Sequence, residues 1–149
     1  MAKCFMNSPV NEWIEKAEED SHVALTLRRL RRNPAHNAVC FHAQQCIEKY
    51  LKAIIEKHGN AIRKIHALPV LLDQCVEAHP TLIGMRPDMV RLSEYAVEFR
   101  YPGESATVKD ATDAISIMQR SRMDLRIALG LEDSQTLAKS CRQRKKSYA

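Results

Sequence analysis

Glycine is scarce in this chain, at four of 149 residues. An all-β protein reverses direction at turns that favour glycine, so this scarcity points to helices. Aromatic residues are few as well, at 5%. No unbroken apolar run approaches the ~20 residues that span a bilayer, and no membrane helix is expected. The opening MAKCFMNSPVNEW lacks the apolar centre of a signal peptide, so a cytoplasmic location is the default expectation. Cysteine is present without a pattern. Cys4, Cys40, Cys46, Cys75 and Cys141 are odd in number, scattered, and contain no C-x-x-C, and they read as buried or spare thiols in a reducing compartment. A nucleophile elbow, a phosphate-binding glycine loop and a dinucleotide fingerprint are all missing. The sequence calls for no cofactor.

What is there is an ordinary soluble composition, 45% hydrophobic and 28% charged, long enough for one substantial core. The formal net charge of +5 is unevenly placed. Residues 137–149 hold five of the 23 basic residues and no acid, which leaves 18 basic against 18 acidic residues in the rest. The expected organisation is one helical domain over 8–131, followed by a basic, disordered tail over 132–149. Such a tail either binds nucleic acid electrostatically or is simply solvated.

Hydrophobic spacing predicts five helices, three long and two short. Ser8-Pro9 opens the first as cap and first-turn proline, with Val10, Trp13, Ile14, Ala17, Ala24 and Leu25 inward over about 10–31. Asn33-Pro34 repeats that device before a second helix that ends with Gly59 in the position after its C-cap. Apolar residues from Ala38 to Ile55, Phe41 among them, almost encircle this helix, which marks it as central. A short third helix follows over HALPVLLDQCVEA, then a loop, HPTLIGMRP. A fourth helix covers about 88–99. The last starts at Thr107, whose pairing with Asp110 resembles a capping box, and stops at Gly130. No stretch alternates with period two, so no strand is predicted. The fold class is all-α, an antiparallel helical bundle.

Four segments in this order resemble the HEPN domain family: WIEKAEEDSHVAL, FHAQQCIEKYLKAII, IHALPVLL and YAVEFRYPGE. The second is close to the family's Phe-His-x-Gln-Gln-x-x-Glu-Lys-x-x-Lys-Ala pattern. The resemblance implies a helical bundle that pairs as a homodimer and binds nucleotide or RNA. For bacterial members of this branch it implies a minimal nucleotidyltransferase partner in a toxin–antitoxin-like pair. Other branches are ribonucleases that cleave RNA without metal, using Arg, four to six residues, then His. That chemistry needs a base near neutral pKa and a cation for charge developing on phosphate.

At the corresponding place this chain has Arg100-Tyr101-Pro102-Gly103-Glu104-Ser105-Ala106-Thr107-Val108, with no histidine. Arg31 and His36 satisfy the spacing, but they lie at the joint between the first two helices. Two readings of Arg100 and Tyr101 stand open. They form an anion-binding remnant, guanidinium for phosphate and ring for a base. Alternatively Arg100 pairs with Asp20 or Glu98 while Tyr101 packs. His42, Gln45, Lys49 and Lys52 share one face of the second helix, facing either a phosphate groove or a polar seam. In an enzyme reading His66 replaces the missing base, or His42 does, and Asp20 orients Arg100; in a third reading the chain is a purely structural interaction subunit whose only ligand is protein. His36 with Cys40 and His42 with Cys46 have ligand-like spacing, but the pairs face different sides of the helix and would not converge on one metal.

Overall fold

The computed structural model describes residues 8–131. The expected basic tail lies outside them, as does the side chain of Ser8. The five expected helices are present as α1 (Ser8–Arg28), α2 (His36–Lys57), α3 (Leu68–Val76), α4 (Arg86–Glu98) and α5 (Val108–Ala128). No strand occurs among the described residues. The predicted loop after α3 is instead a short 3-10 helix, Pro80–Met85, which buries Leu82 and Met85.

The centre is α2, packed by α1, α3, α4 and α5. Its side chains Ile47, Tyr50, Leu51, Ile54 and Ile55 are at most 1% exposed. Each such aliphatic side chain contributes roughly 1.5–3 kcal/mol by leaving water. Asp20 meets His42, and Trp13 meets Lys52, so α1 runs antiparallel to α2. The pairs Arg28–Thr112 and Glu18–Arg122 make α5 antiparallel to α1. The pairs Asn37–Ala106 and Lys57–Leu129 make it parallel to α2. One end of the bundle therefore gathers the C-termini of α1 and α4 with the N-termini of α2 and α5. The other end gathers the C-termini of α2 and α5 with the 3-10 helix.

Local chemistry sets most boundaries where expected. Thr107 Oγ1 accepts from the Asp110 backbone N–H, and the Asp110 carboxylate accepts from the Thr107 N–H, a complete capping box. The helix ends at Gly59 and Gly130 have left-handed φ of 73° and 74°. The joint between α1 and α2 differs from expectation. α1 stops at Arg28, and α2 starts at His36 after Ala35, without a side-chain cap. The reason is Asn33, whose φ of 48° is left-handed, whereas an N-cap residue needs extended backbone. Asn33 turns the chain instead of capping it. At the α4–α5 joint, Glu104 N–H reaches Tyr101 C=O at 3.4 Å. Pro102 and Gly103 are the two central residues of this turn. Gly103 has φ 100°, which the third position of a type II turn requires and which a side chain would disfavour.

Candidate functional site

The α2 face that carries His42, Gln45, Lys49 and Lys52 is divided between two buried carboxylates. Asp20, on α1, is 7% exposed. Its Oδ1 lies 2.8 Å from His42 Nδ1, and its Oδ2 accepts from Lys49 Nζ. One α1 carboxylate thus bridges two α2 side chains seven residues apart, a spacing of nearly two turns. Both Asp20 oxygens are held by α2, so Asp20 is the partner of His42 and Lys49, and Arg100 is not paired with it.

The second carboxylate is Glu48, 3% exposed. Its Oε1 accepts from Lys52 Nζ at 2.8 Å and lies 2.9 Å from His66 Nδ1. Its Oε2 accepts from Gln44 Nε2 at 3.1 Å and from Gln45 Nε2 at 3.3 Å. Gln44 Nε2 also donates to the His66 backbone carbonyl, which ties the segment before α3 to α2. Burial pushes the Glu48 carboxyl up, but the hydrogen bonds from Lys52, His66 and Gln44 outweigh it and hold the group below its ordinary value. Lys52 lies 5.4 Å from the centre of the Trp13 ring. The His66 side chain is 74% exposed, so a surface imidazole is anchored through one nitrogen to a buried charge.

A third cluster joins α1, α2 and α5. Arg122 grips Glu18 through two hydrogen bonds of 2.7 and 2.8 Å, and Tyr50 donates its hydroxyl to the same carboxylate. Burial raises the Glu18 carboxyl, and its bonds with Arg122 and Tyr50 overcome that and lower it. The three described thiols are buried, and burial raises their pKa, to about 12 in Cys40 and Cys75. They are not nucleophiles in this setting.

The end of the bundle is organised differently. Arg100 is exposed, its guanidinium 5.8 Å from the centre of the Phe41 ring, and its side chain makes no hydrogen bond or ion pair with any described residue, Glu98 included. Phe41 is itself 37% exposed and Tyr101 67%. Arg29, Arg31, Arg32 and Lys109 are exposed at the same end, likewise without an ion pair to a described residue. The N-termini of α2 and α5 meet the C-termini of α1 and α4 there, so the helix dipoles largely offset one another and the positive charge comes from the side chains. Glu98, Glu104, Asp110 and Asp113 are the opposing acids, and Asp113 is engaged by Arg91 and Tyr95.

The fold therefore brings together two candidates that are 64 or more residues apart in sequence, the Arg31–His36 joint and the Arg100–Tyr101 corner. It separates them from His66, which sits on Glu48 further along α2. Phe41 is missed when α2 is read as apolar nearly all round. The signal was available: positions 41, 45, 48 and 52 form one row, and the other three members are polar. The local spacing Gln44, Glu48, Lys52 foreshadows part of the Glu48 hub, but His66 comes from a distant segment and carries no local signal. The His36–Cys40 and His42–Cys46 pairs do not meet, since the two thiols point into the core and His42 is on Asp20. Among the described residues, no group of three or more His, Cys, Asp or Glu side chains is placed to hold a metal ion.

A five-helix all-α bundle with a polar seam on its central helix and a cationic, aromatic end defines the class. The family follows from the sequence match: the HEPN domain model covers residues 10–126, and the chain belongs to the HEPN domain family. Two solved structures share the fold. TT1696 from Thermus thermophilus is 22% identical with a TM-score of 0.71, over 82% of this chain and 99% of its own. ST0689, an archaeal HEPN homologue, is 22% identical with a TM-score of 0.59, over 81% of this chain and 95% of its own. No curated protein matches the sequence.

Proposed function

We propose that this HEPN protein is a nucleotide- or RNA-binding module, and that its ligand engages the cationic end of the bundle. The observation that carries this reading is Arg100: an exposed guanidinium lying over an exposed Phe41 ring, beside an exposed Tyr101, with no described carboxylate to neutralise it. A guanidinium fork suits phosphate, and aromatic faces suit stacked bases. Arg29, Arg31 and Arg32 extend the charge along a strand's path. His42, Gln45, Lys49 and Lys52 support this platform from behind, because Asp20 and Glu48 already occupy their polar groups. The module works as a homodimer beside a minimal nucleotidyltransferase in a toxin–antitoxin-like pair, a reading that rests on the family branch the sequence resembles. The deciding experiment is fluorescence anisotropy with a labelled single-stranded RNA. Arg100→Ala weakens binding at least tenfold and reduces the salt dependence, while Lys49→Ala does neither. Equal affinity in wild type and Arg100→Ala overturns the reading.

One observation favours a second reading, a metal-free endoribonuclease. The Glu48–His66 pair is an imidazole oriented by a buried carboxylate, with its other nitrogen turned away from that carboxylate, as a general base requires. Arg100, over Phe41 about two turns back along α2, is not beside this pair, so in this reading it holds the RNA away from the cut. Cleavage of a structured RNA in EDTA tests it. Loss of cleavage in His66→Ala supports the pair, and loss only in the Arg31→Ala/His36→Ala double variant points to the other joint. Intact RNA with the wild type removes the reading.

A further inference from the structure

At the end of the bundle opposite Arg100, two histidines from different elements meet head to head. His58 follows the last turn of α2, and His79 precedes the 3-10 helix. Their Nε2 atoms are 2.9 Å apart, and their ring centres are 5.0 Å apart. Neither ring makes a hydrogen bond or ion pair with a described carboxylate, in contrast to His42 and His66. The contact is closed by sharing a single proton, one Nε2 donating and the other accepting. A second proton would set two donors against each other.

We propose that His58 and His79 form a two-histidine site for a divalent transition-metal ion of the nickel, copper or zinc class. Two nitrogens 2.9 Å apart, each about 2.05 Å from one ion, subtend about 90° at it, the angle of neighbouring positions in square-planar or octahedral coordination. Tetrahedral zinc needs a separation of about 3.3 Å, which a small ring rotation supplies. With both rings neutral, the shared Nε2 proton moves to Nδ1 as the lone pairs turn to the metal, so charge and protons balance. His79 also lines a cavity of about 370 Å³ with Thr81 and Asp124. Thr81 and Asp124 bring two oxygen groups to the cavity wall, where they can hold water on the open coordination positions. Asp124 makes no ion pair with a described residue.

The charged groups facing the pair are few. Lys57 adjoins His58 but directs its Nζ to the Leu129 carbonyl at 3.0 Å, at the C-terminus of α5. Asp124, on α5, lines the same cavity as His79. Burial, then the neighbouring His58 and Lys57, lower the His79 pKa.

Titration of the full chain with nickel chloride at pH 7.5, followed by calorimetry, tests the site, with zinc chloride as a second probe. The expected result is one saturable equivalent of nickel, weakened at least tenfold in His58→Ala and in His79→Ala, unchanged in His22→Ala, and weakened at pH 5.5. The wild type also gains melting temperature with nickel, and the two variants do not. Absence of saturable binding overturns the proposal, as does binding that survives both single variants. Circular dichroism of the variants separates loss of a ligand from loss of the fold. Because the site is remote from Arg100, the RNA experiment above can fail while this one succeeds, or the reverse.

Discussion

The central seam of α2 and the cationic end of the bundle contain the same kinds of residue in opposite conditions. Along the seam every cation has a buried carboxylate: Lys49 has Asp20, Lys52 has Glu48, and two histidines share them. At the end, Arg29, Arg31, Arg32, Arg100 and Lys109 face solvent with no such partner among the described residues. A neutralised seam fixes how helices dock. Unneutralised arginines, one of them over an aromatic ring, offer an anion something to bind. Basic residues at helical spacing do not say which condition applies: Lys52 has its carboxylate on its own helix, and Lys49 takes one from α1.

The comparison breaks most severely if a seam cation is removed. Lys52→Met leaves Glu48 charged and buried with less compensation, and the expected cost is about 3 kcal/mol, measured as a fall in urea midpoint. The same seam has a pH signature. Glu48 and Glu18 titrate lower in the folded protein than their ordinary 4.5. Between those values the unfolded chain binds more protons than the folded one. Their stabilisation is therefore complete above about pH 4.5 and is lost as pH falls through the folded values. Unfolding free energies measured from pH 7 to pH 3 should fall less steeply in Glu48→Gln than in wild type; equal slopes would detach Glu48 from the effect.

At the other region, Arg100→Ala should cost tenfold or more in RNA affinity, about 1.4 kcal/mol, with stability within about 0.5 kcal/mol of wild type. A large loss of stability instead would place Arg100 in the structural class with the seam. The capping box at the start of α5 calibrates local effects: Thr107→Ala should lower stability by about 1 kcal/mol in thermal melts. The smallest effect is expected from Lys49→Ala on RNA binding, within twofold, although the residue is as basic as Arg100. A loss matching that of Arg100→Ala would merge the two regions into one binding surface.

Much of the fold was legible because its signals are local. Gly59, Gly130, Thr107 with Asp110, and Pro102-Gly103 act over one turn of chain, and each did in the structure what its chemistry predicts. Asn33-Pro34 misled for the same reason. A capping dipeptide and a left-handed turn share residues, and only the backbone path between α1 and α2 selects the turn. The candidate residues were legible as types and not as roles. The sequence offers Asp20, a polar residue near the core, as one of two acids that could pair with Arg100; in the structure Asp20 is held by His42 and Lys49. Phe41 was foreseen in the core and is instead the exposed ring beneath Arg100. His58 and His79 carry no signal in sequence, because they are 21 residues apart and lie at the ends of separate elements.

Sequence alone was enough for the helices, their order, the central place of α2 and membership of the HEPN domain family. These follow from hydrophobic periodicity, caps and an ordered set of short motifs, all carried by residues near one another in the chain. Which charges are neutralised, which rings are exposed and which histidines meet came from the packing of the helices. Those outcomes depend on carboxylates and rings that come from other parts of the chain, and burial against another helix, unlike a cap or a turn, leaves no mark on the neighbouring residues.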